Sequence, residues 1–156
     1  MYRRKHIMPP KLKEMIKQNR PTYVNTSAFD LCIDTSLIER AGLGVYSNDF
    51  IPENTIIDEY KGTLIESENP ITNAYYYELI EGDKSKGILS VGIDASGFPR
   101  NYMAMINDAS FHNVLKNNCE FQSDIVNKKV YVVTLRDIEP GEELFASYGD
   151  GYWNVN

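Results

Sequence analysis

The sequence predicts a mainly β domain of the α+β class, built from several short sheets with few short helices. Three observations carry that prediction. A chain of 156 residues is enough for one domain around a single hydrophobic core. Beyond Pro21 the apolar residues come in short runs rich in Val, Ile and Tyr, divided by Gly, Pro, Asn and Asp. Helical spacing is confined to two brief stretches, and there is no internal repeat.

Residues 9–19 read as a short helix, with proline in its first turn and Leu12, Met15 and Ile16 on one face. Val45-Tyr46 follows a glycine loop as strand, and 55–60 is strand up to the Lys61-Gly62 turn. Residues 63–65 resume the strand, and 66–73 form a polar loop. Residues 74–80 are apolar on both faces and predict a buried strand, ending at Glu81-Gly82-Asp83. Residues 88–93 and 130–135 are further strands. Between them Tyr102, Met103 and Ile106 sit at helical spacing within 101–106. The domain division expected is a basic extension over 1–29, the main domain over 30–149 and a short flank over 150–156.

Composition narrows the functional classes. No apolar run approaches the roughly 20 residues of a membrane helix. The basic start Met1–Lys5 leads into Pro9-Pro10 and not into an apolar signal core. The expectation is a soluble intracellular protein with no membrane partner. His6 and His112 lie in no metal-ligand or triad pattern, and two cysteines, Cys32 and Cys119, fall short of a four-thiolate zinc site, so no metal is expected. The cysteines are expected to be buried thiols and not a disulfide.

Charge is unevenly spread. Residues 1–29 carry seven Lys/Arg against Glu14, a net of +6. The rest carry nine against 21 Asp/Glu, a net of −12, and together these give −6 for the chain. An acidic body repels phosphates and suits a cationic peptide, so no direct nucleic-acid contact is expected.

Three stretches carry the chemistry. Arg40-Ala41-Gly42-Leu43-Gly44-Val45 is a glycine loop opening into a strand, a form that brings backbone groups close to a ligand. It lacks the third glycine of a dinucleotide fingerprint, and no Walker loop occurs anywhere. Met105-Ile106-Asn107-Asp108-Ala109 follows, with Asn117-Asn118-Cys119 close behind. Last comes Gly141-Glu142-Glu143-Leu144 through Tyr148-Gly149, where a tyrosine stands just beyond a short strand.

Taken in that order, these stretches resemble the signature of SET-domain protein-lysine methyltransferases, in a compact viral-like or PR-type form. Glu59-Tyr60-Lys61-Gly62 is similar to the family's Tyr-x-Gly element, and Tyr75-Tyr76-Tyr77 with Ile93-Asp94-Ala95 to the stretch that supplies another pocket tyrosine. The resemblance spans about residues 30–153 and implies the SET β-clip fold with a pseudoknot-like carboxy-terminal segment. It also implies S-adenosyl-L-methionine as cofactor. Gly42, Leu43, Gly44, Asn107, Asp108, Tyr148 and Trp153 would bind it. Tyr148 would be catalytic, with Tyr60 and Tyr76 shaping the lysine channel and Tyr75 close behind Tyr76. Ala146 and Phe121 occupy the positions that set how many methyl groups are added; neither bears a hydroxyl, which suggests room for more than one.

The chain departs from the family pattern at three places. Asp108 replaces histidine, Asn117 replaces proline, and Ala104 replaces an arginine whose charge braces the segment. No cysteine cluster follows Tyr148, so the Tyr152-Trp153 tail or the amino-terminal segment would have to close the channel. The function implied is methylation of a lysine in a basic peptide, a histone tail first, in the nucleus (the host's nucleus for a viral protein). The alternatives are a non-histone substrate, or a silent SET-like module that only binds a partner.

Overall fold

The computed structural model describes residues 6–7, 9–17, 22–69 and 71–149. Helix α1 runs over Pro10–Lys17, starting on proline as a first turn allows; its expected apolar face (Leu12, Met15, Ile16) lies outside the described side chains, as do residues 150–156.

Among the described residues, four small sheets follow. Strand β1 (Tyr23–Val24) pairs in parallel with β8 (Arg100–Asn101). Strands β2 (Leu31–Thr35) and β3 (Leu43–Ser47) form an antiparallel pair. A three-stranded sheet has the order β5 (Thr63–Ser67), β7 (Ser90–Asp94), β6 (Tyr76–Ile80). Another has the order β4 (Ile56–Glu59), β10 (Lys129–Thr134), β9 (Cys119–Asp124). The mainly β class is therefore as read from the sequence, with few and short helices.

Two elements differ in character. The stretch expected as a buried strand over 74–80 starts at Tyr76 and forms the edge of its sheet, with only Leu79 fully buried. Its apolar look on both faces has separate causes. Tyr77 packs against the rings of Tyr60 and Phe121, whereas Tyr76 lies flat over Gly92 of β7, where an added Cβ would sit 2.4 Å from the phenol oxygen. The helix expected over 101–106 is a 3₁₀ turn at Tyr102–Met105. The Asn101 side chain caps it by accepting from the Met103 N–H, and Ile106 returns to extended backbone. The basic extension is tied to the domain from Thr22 onward: Arg100 N–H donates to the Thr22 carbonyl, and the Ser27 hydroxyl donates to the Ile57 carbonyl.

The carboxy-terminal stretch 143–146 closes the fold. It bridges to three regions that are distant in sequence: Tyr46 antiparallel, Asn107 parallel and Cys119 parallel. Leu144 N–H donates to Val45 O at 2.8 Å and Ala146 N–H to Asn107 O at 3.0 Å, while Phe145 O accepts from both Asn118 and Cys119 N–H. The Asn118 side chain, 1% exposed, brackets the same stretch. Its Nδ2 donates to Glu143 O and its Oδ1 accepts from Phe145 N–H, each at 2.8 Å. Leu144 and Ala146 are wholly buried, so these backbone groups have no access to water and must be paired internally. Ile33, Val45, Ile51, Val130, Val132 and Ile138 form the central core together with Leu144 and Ala146 of this segment. Cys32 and Cys119 are both buried thiols, and burial pushes the Cys119 thiol up to about 12.

Asn118→Ala would leave a buried carbonyl and a buried N–H of the closing strand unpaired. It should cost about 3 kcal/mol in urea unfolding, at roughly 1–3 kcal/mol per orphaned group.

Candidate functional site

The glycine loop is set by local chemistry. Ser36 N–H donates to the Gly42 carbonyl and Ala41 N–H to the Ile38 carbonyl, folding 36–42 on itself. Gly42 has a φ of 76°, which a side chain would strain, and nothing lies within 4 Å of where its Cβ would be. Gly44 is glycine for another reason: a Cβ there would fall 2.2 Å from the Glu143 carboxylate. That carboxylate, 2% exposed, accepts from the Ser36 hydroxyl and from Leu37 N–H, both at 2.7 Å. The loop thus stands on a buried acid from the closing strand. Gly44 serves this packing, while Leu43 and Ala41 face the cavity.

Asn107 ties the three motifs together. Its Nδ2 donates to the Leu43 carbonyl at 2.9 Å, and its own carbonyl accepts from Ala146 N–H. Two residues beyond Ala146 stands Tyr148, whose hydroxyl donates to the Ile106 carbonyl at 2.7 Å. Its backbone N–H donates to Asp108 Oδ2 at 2.8 Å.

These residues border one cavity of about 420 Å³, within the range of small-molecule sites. Leu43, Asn107 and Tyr148 line it together with Tyr60, Tyr75, Tyr76, Tyr77 and Phe121. Among the described residues, no lining side chain is formally charged at neutral pH. Tyr60 forms an aromatic corner with Tyr77 (6.0 Å between ring centres) and Phe121 (5.7 Å, edge to face). The Tyr60 hydroxyl donates to the Tyr75 carbonyl at 2.6 Å, which leaves its oxygen as an acceptor. Burial first, then the neighbouring Tyr148 phenol and the Asp94 carboxylate, hold the Tyr60 phenol well above its usual pKa. Burial also raises the pKa of Tyr76, whose buried hydroxyl has no hydrogen-bond partner.

The sequence-derived site residues therefore fall into distinct places. Leu43, Asn107, Tyr60, Tyr75, Tyr76, Phe121 and Tyr148 share the cavity wall. Gly42 shapes the loop from outside, and Gly44 and Ala146 are packed behind it. The Asp108 side chain points to the Tyr148 backbone. Trp153 lies outside the described residues. Tyr77, not singled out from the sequence, completes the ring cluster; a run of three tyrosines conceals which of them share a face, and only strand register reveals it. Tyr23, also missed, reaches the wall because β1 pairs with β8.

A fold of small sheets closed by a buried carboxy-terminal strand, with a glycine loop, an asparagine and a late tyrosine around one apolar cavity, is the architecture of a SET domain. The SET domain family model matches residues 42–149, and the chain belongs to that family. It is 32% identical over 124 residues to the histone-lysine N-methyltransferase set-17 of Caenorhabditis elegans, covering 78% of this chain and 42% of that protein. Among solved structures it is similar to the methyltransferase domain of human PR domain-containing protein 2, with a TM-score of 0.61 and 18% identity over 94% of this chain and 90% of that one. It is also similar to KRYPTONITE in complex with mCHH DNA, H3(1-15) peptide and SAH, with a TM-score of 0.60 and 25% identity over 79% of this chain and 24% of that one. The chain thus spans less than half of the worm protein and about a quarter of KRYPTONITE.

The buried phenols predict a stability change at alkaline pH. Burial, with Glu143 beside Tyr46 and Tyr148 beside Tyr60, raises both pKa values. The native state therefore keeps protons that the unfolded chain releases above about pH 10. Stability from these groups is complete below that pH and falls as pH rises past it. Urea unfolding at about pH 9 and about pH 11 should show the loss, and Tyr60→Phe should reduce it.

Proposed function

We propose that the chain is an S-adenosylmethionine-dependent protein-lysine N-methyltransferase that acts on a histone tail in the nucleus. The observation that carries the reading is the uncharged aromatic cavity, in which the Tyr148 hydroxyl stands on the same wall as Leu43 and Asn107. The residues present fit such a cofactor. Ala41 and Leu43 line the cavity, Gly42 between them leaves open space where a Cβ would be, and Asn107 joins the loop to the segment that bears Tyr148. When bound, S-adenosylmethionine supplies an electrophilic methyl group on a sulfonium centre.

Everything else falls to the chain. A lysine amine must arrive neutral, although in water its pKa is about 10.4. A lining of Tyr60, Tyr77 and Phe121 rings, with no charged side chain among the described residues, disfavours ammonium by desolvation. Tyr148 and Tyr60 line the same cavity, and each hydroxyl is held by a backbone carbonyl, Ile106 O for Tyr148 and Tyr75 O for Tyr60, which leaves each oxygen able to accept from an incoming amine. Their part is to orient the nucleophile and exclude water; positioning supplies most of the rate. β6 and β9, which carry Tyr77 and Phe121, are edge strands of their sheets, and an extended peptide can add beside them. The acidic body favours a Lys- and Arg-rich peptide. KRYPTONITE with its H3(1-15) peptide and SAH, and the set-17 relative, support the choice of cofactor and histone.

Labelled methyl transfer onto separated core histones tests the reading, with mass spectrometry locating the modified lysine. Tyr148→Phe should lower kcat roughly hundredfold, the usual effect of losing one oriented hydroxyl at a reacting centre. Full activity in that variant, or no incorporation by the unaltered protein, would reject the proposal.

A further inference from the structure

Two of the departures from the family pattern, Asp108 and Asn117, meet in space and bear on Tyr148. Asp108 Oδ2 accepts the Tyr148 backbone N–H at 2.8 Å, across 40 residues of sequence. Asp108 Oδ1 accepts from Ser110 N–H at 2.7 Å, from the Ser110 hydroxyl and from Asn117 Nδ2 at 3.3 Å. Asn117 in turn donates to the Ser110 hydroxyl at 3.1 Å and accepts from Ala109 N–H at 2.8 Å. One carboxylate oxygen thus holds the tyrosine backbone, and the other is fixed by a turn that Asn117 braces. Proline at position 117 would supply none of these bonds, and histidine at 108 would not offer two acceptor oxygens.

From this geometry we infer that Asp108 is a positioning residue for Tyr148, and that Asn117 is its paired support. The inference rests on the reading of Tyr148 as the catalytic tyrosine. Charge-assisted bonds to a carboxylate are about twice as strong as neutral ones. The Tyr148 N–H needs such an anchor, because strand pairing to Asn107 and Cys119 stops at Ala146. Beyond that point the Asp108 contact holds the Tyr148 backbone and the hydroxyl's bond to Ile106 holds the phenol.

Asp108→Asn separates this role from a merely structural one. Both oxygens of Asp108 accept, so an amide of the same shape must turn its NH₂ toward a donor on one side or the other. Hydrogen exchange followed by NMR should show the Tyr148 amide exchanging about tenfold faster in the variant, while the Cys119 amide, bonded to Phe145 O, keeps its rate. Methyl transfer should lose about tenfold in kcat, with the KM for S-adenosylmethionine changed less than about threefold. In a Tyr148→Phe background the same substitution should cost little further rate, since there is no hydroxyl left to aim. Asn117→Ala, which keeps the Asp108 carboxylate, should give the same changes in weaker form. An unchanged Tyr148 amide, or a full additional loss in the Tyr148→Phe background, overturns the inference. If Tyr148→Phe alone leaves activity intact, it is the functional reading that fails, and the amide exchange still decides whether the clamp exists.

Discussion

The structure depends on the burial of one short strand. Residues 143–146 pass between backbone segments from three distant parts of the chain, and their polar groups must be paired because water cannot reach them. Those pairings bring the site together. Val45, just after the glycine loop, bonds to the strand and Ser47 to the Gly141-Glu142 turn before it, Asn107 bonds just after the 3₁₀ turn, and Asn118-Cys119 at the start of β9. Glu143 on the same strand carries the base of the glycine loop through Ser36 and Leu37. Loop position, cavity wall and the approach to Tyr148 are thus consequences of a single insertion. Burying a carboxylate for the purpose is tolerable only because both oxygens have donors.

The charge pattern follows a similar economy. The cavity is lined by rings, methionines and small side chains, while charged groups are kept behind it or outside. The arginine expected where Ala104 stands is absent, but a guanidinium is still buried in this segment. Arg100, 8% exposed, lies over the Tyr75 ring at 3.9 Å and the Phe98 ring at 4.2 Å, and donates to Ser96 O. Stacking on two aromatic faces offsets part of the cost of desolvating a cation. Ala104 meanwhile opens the wall that a longer side chain would fill. Asp108 and Asn117 show the same logic, since each departure is matched by a contact with the other.

The order of motifs was readable because each is local. A glycine pair before a strand, an asparagine after a turn and a tyrosine after a Gly-Glu-Glu-Leu run need only short-range geometry to be recognised. The strands over 55–60, 88–93 and 130–135 were readable for the same reason, within a residue or two. Strand β9 escaped notice because Cys119–Asp124 alternates weakly and owes its conformation to pairing with β10 along its whole length. The choice among Tyr75, Tyr76 and Tyr77 was hidden by period-two geometry: a shift of one residue exchanges the two faces of a strand.

What the sequence determined alone was the kind of domain, the glycine-loop and tyrosine motifs and the acidic character of the body, since these are written in neighbouring residues and in total charge. The tertiary structure decided which rings meet at the cavity, that a side chain at Gly44 would collide with Glu143, and that Asp108 reaches the Tyr148 backbone. Each of those depends on contacts between residues some 40 to 100 positions apart. Such contacts form only after the buried strand has drawn the distant segments together, and no local pattern records them.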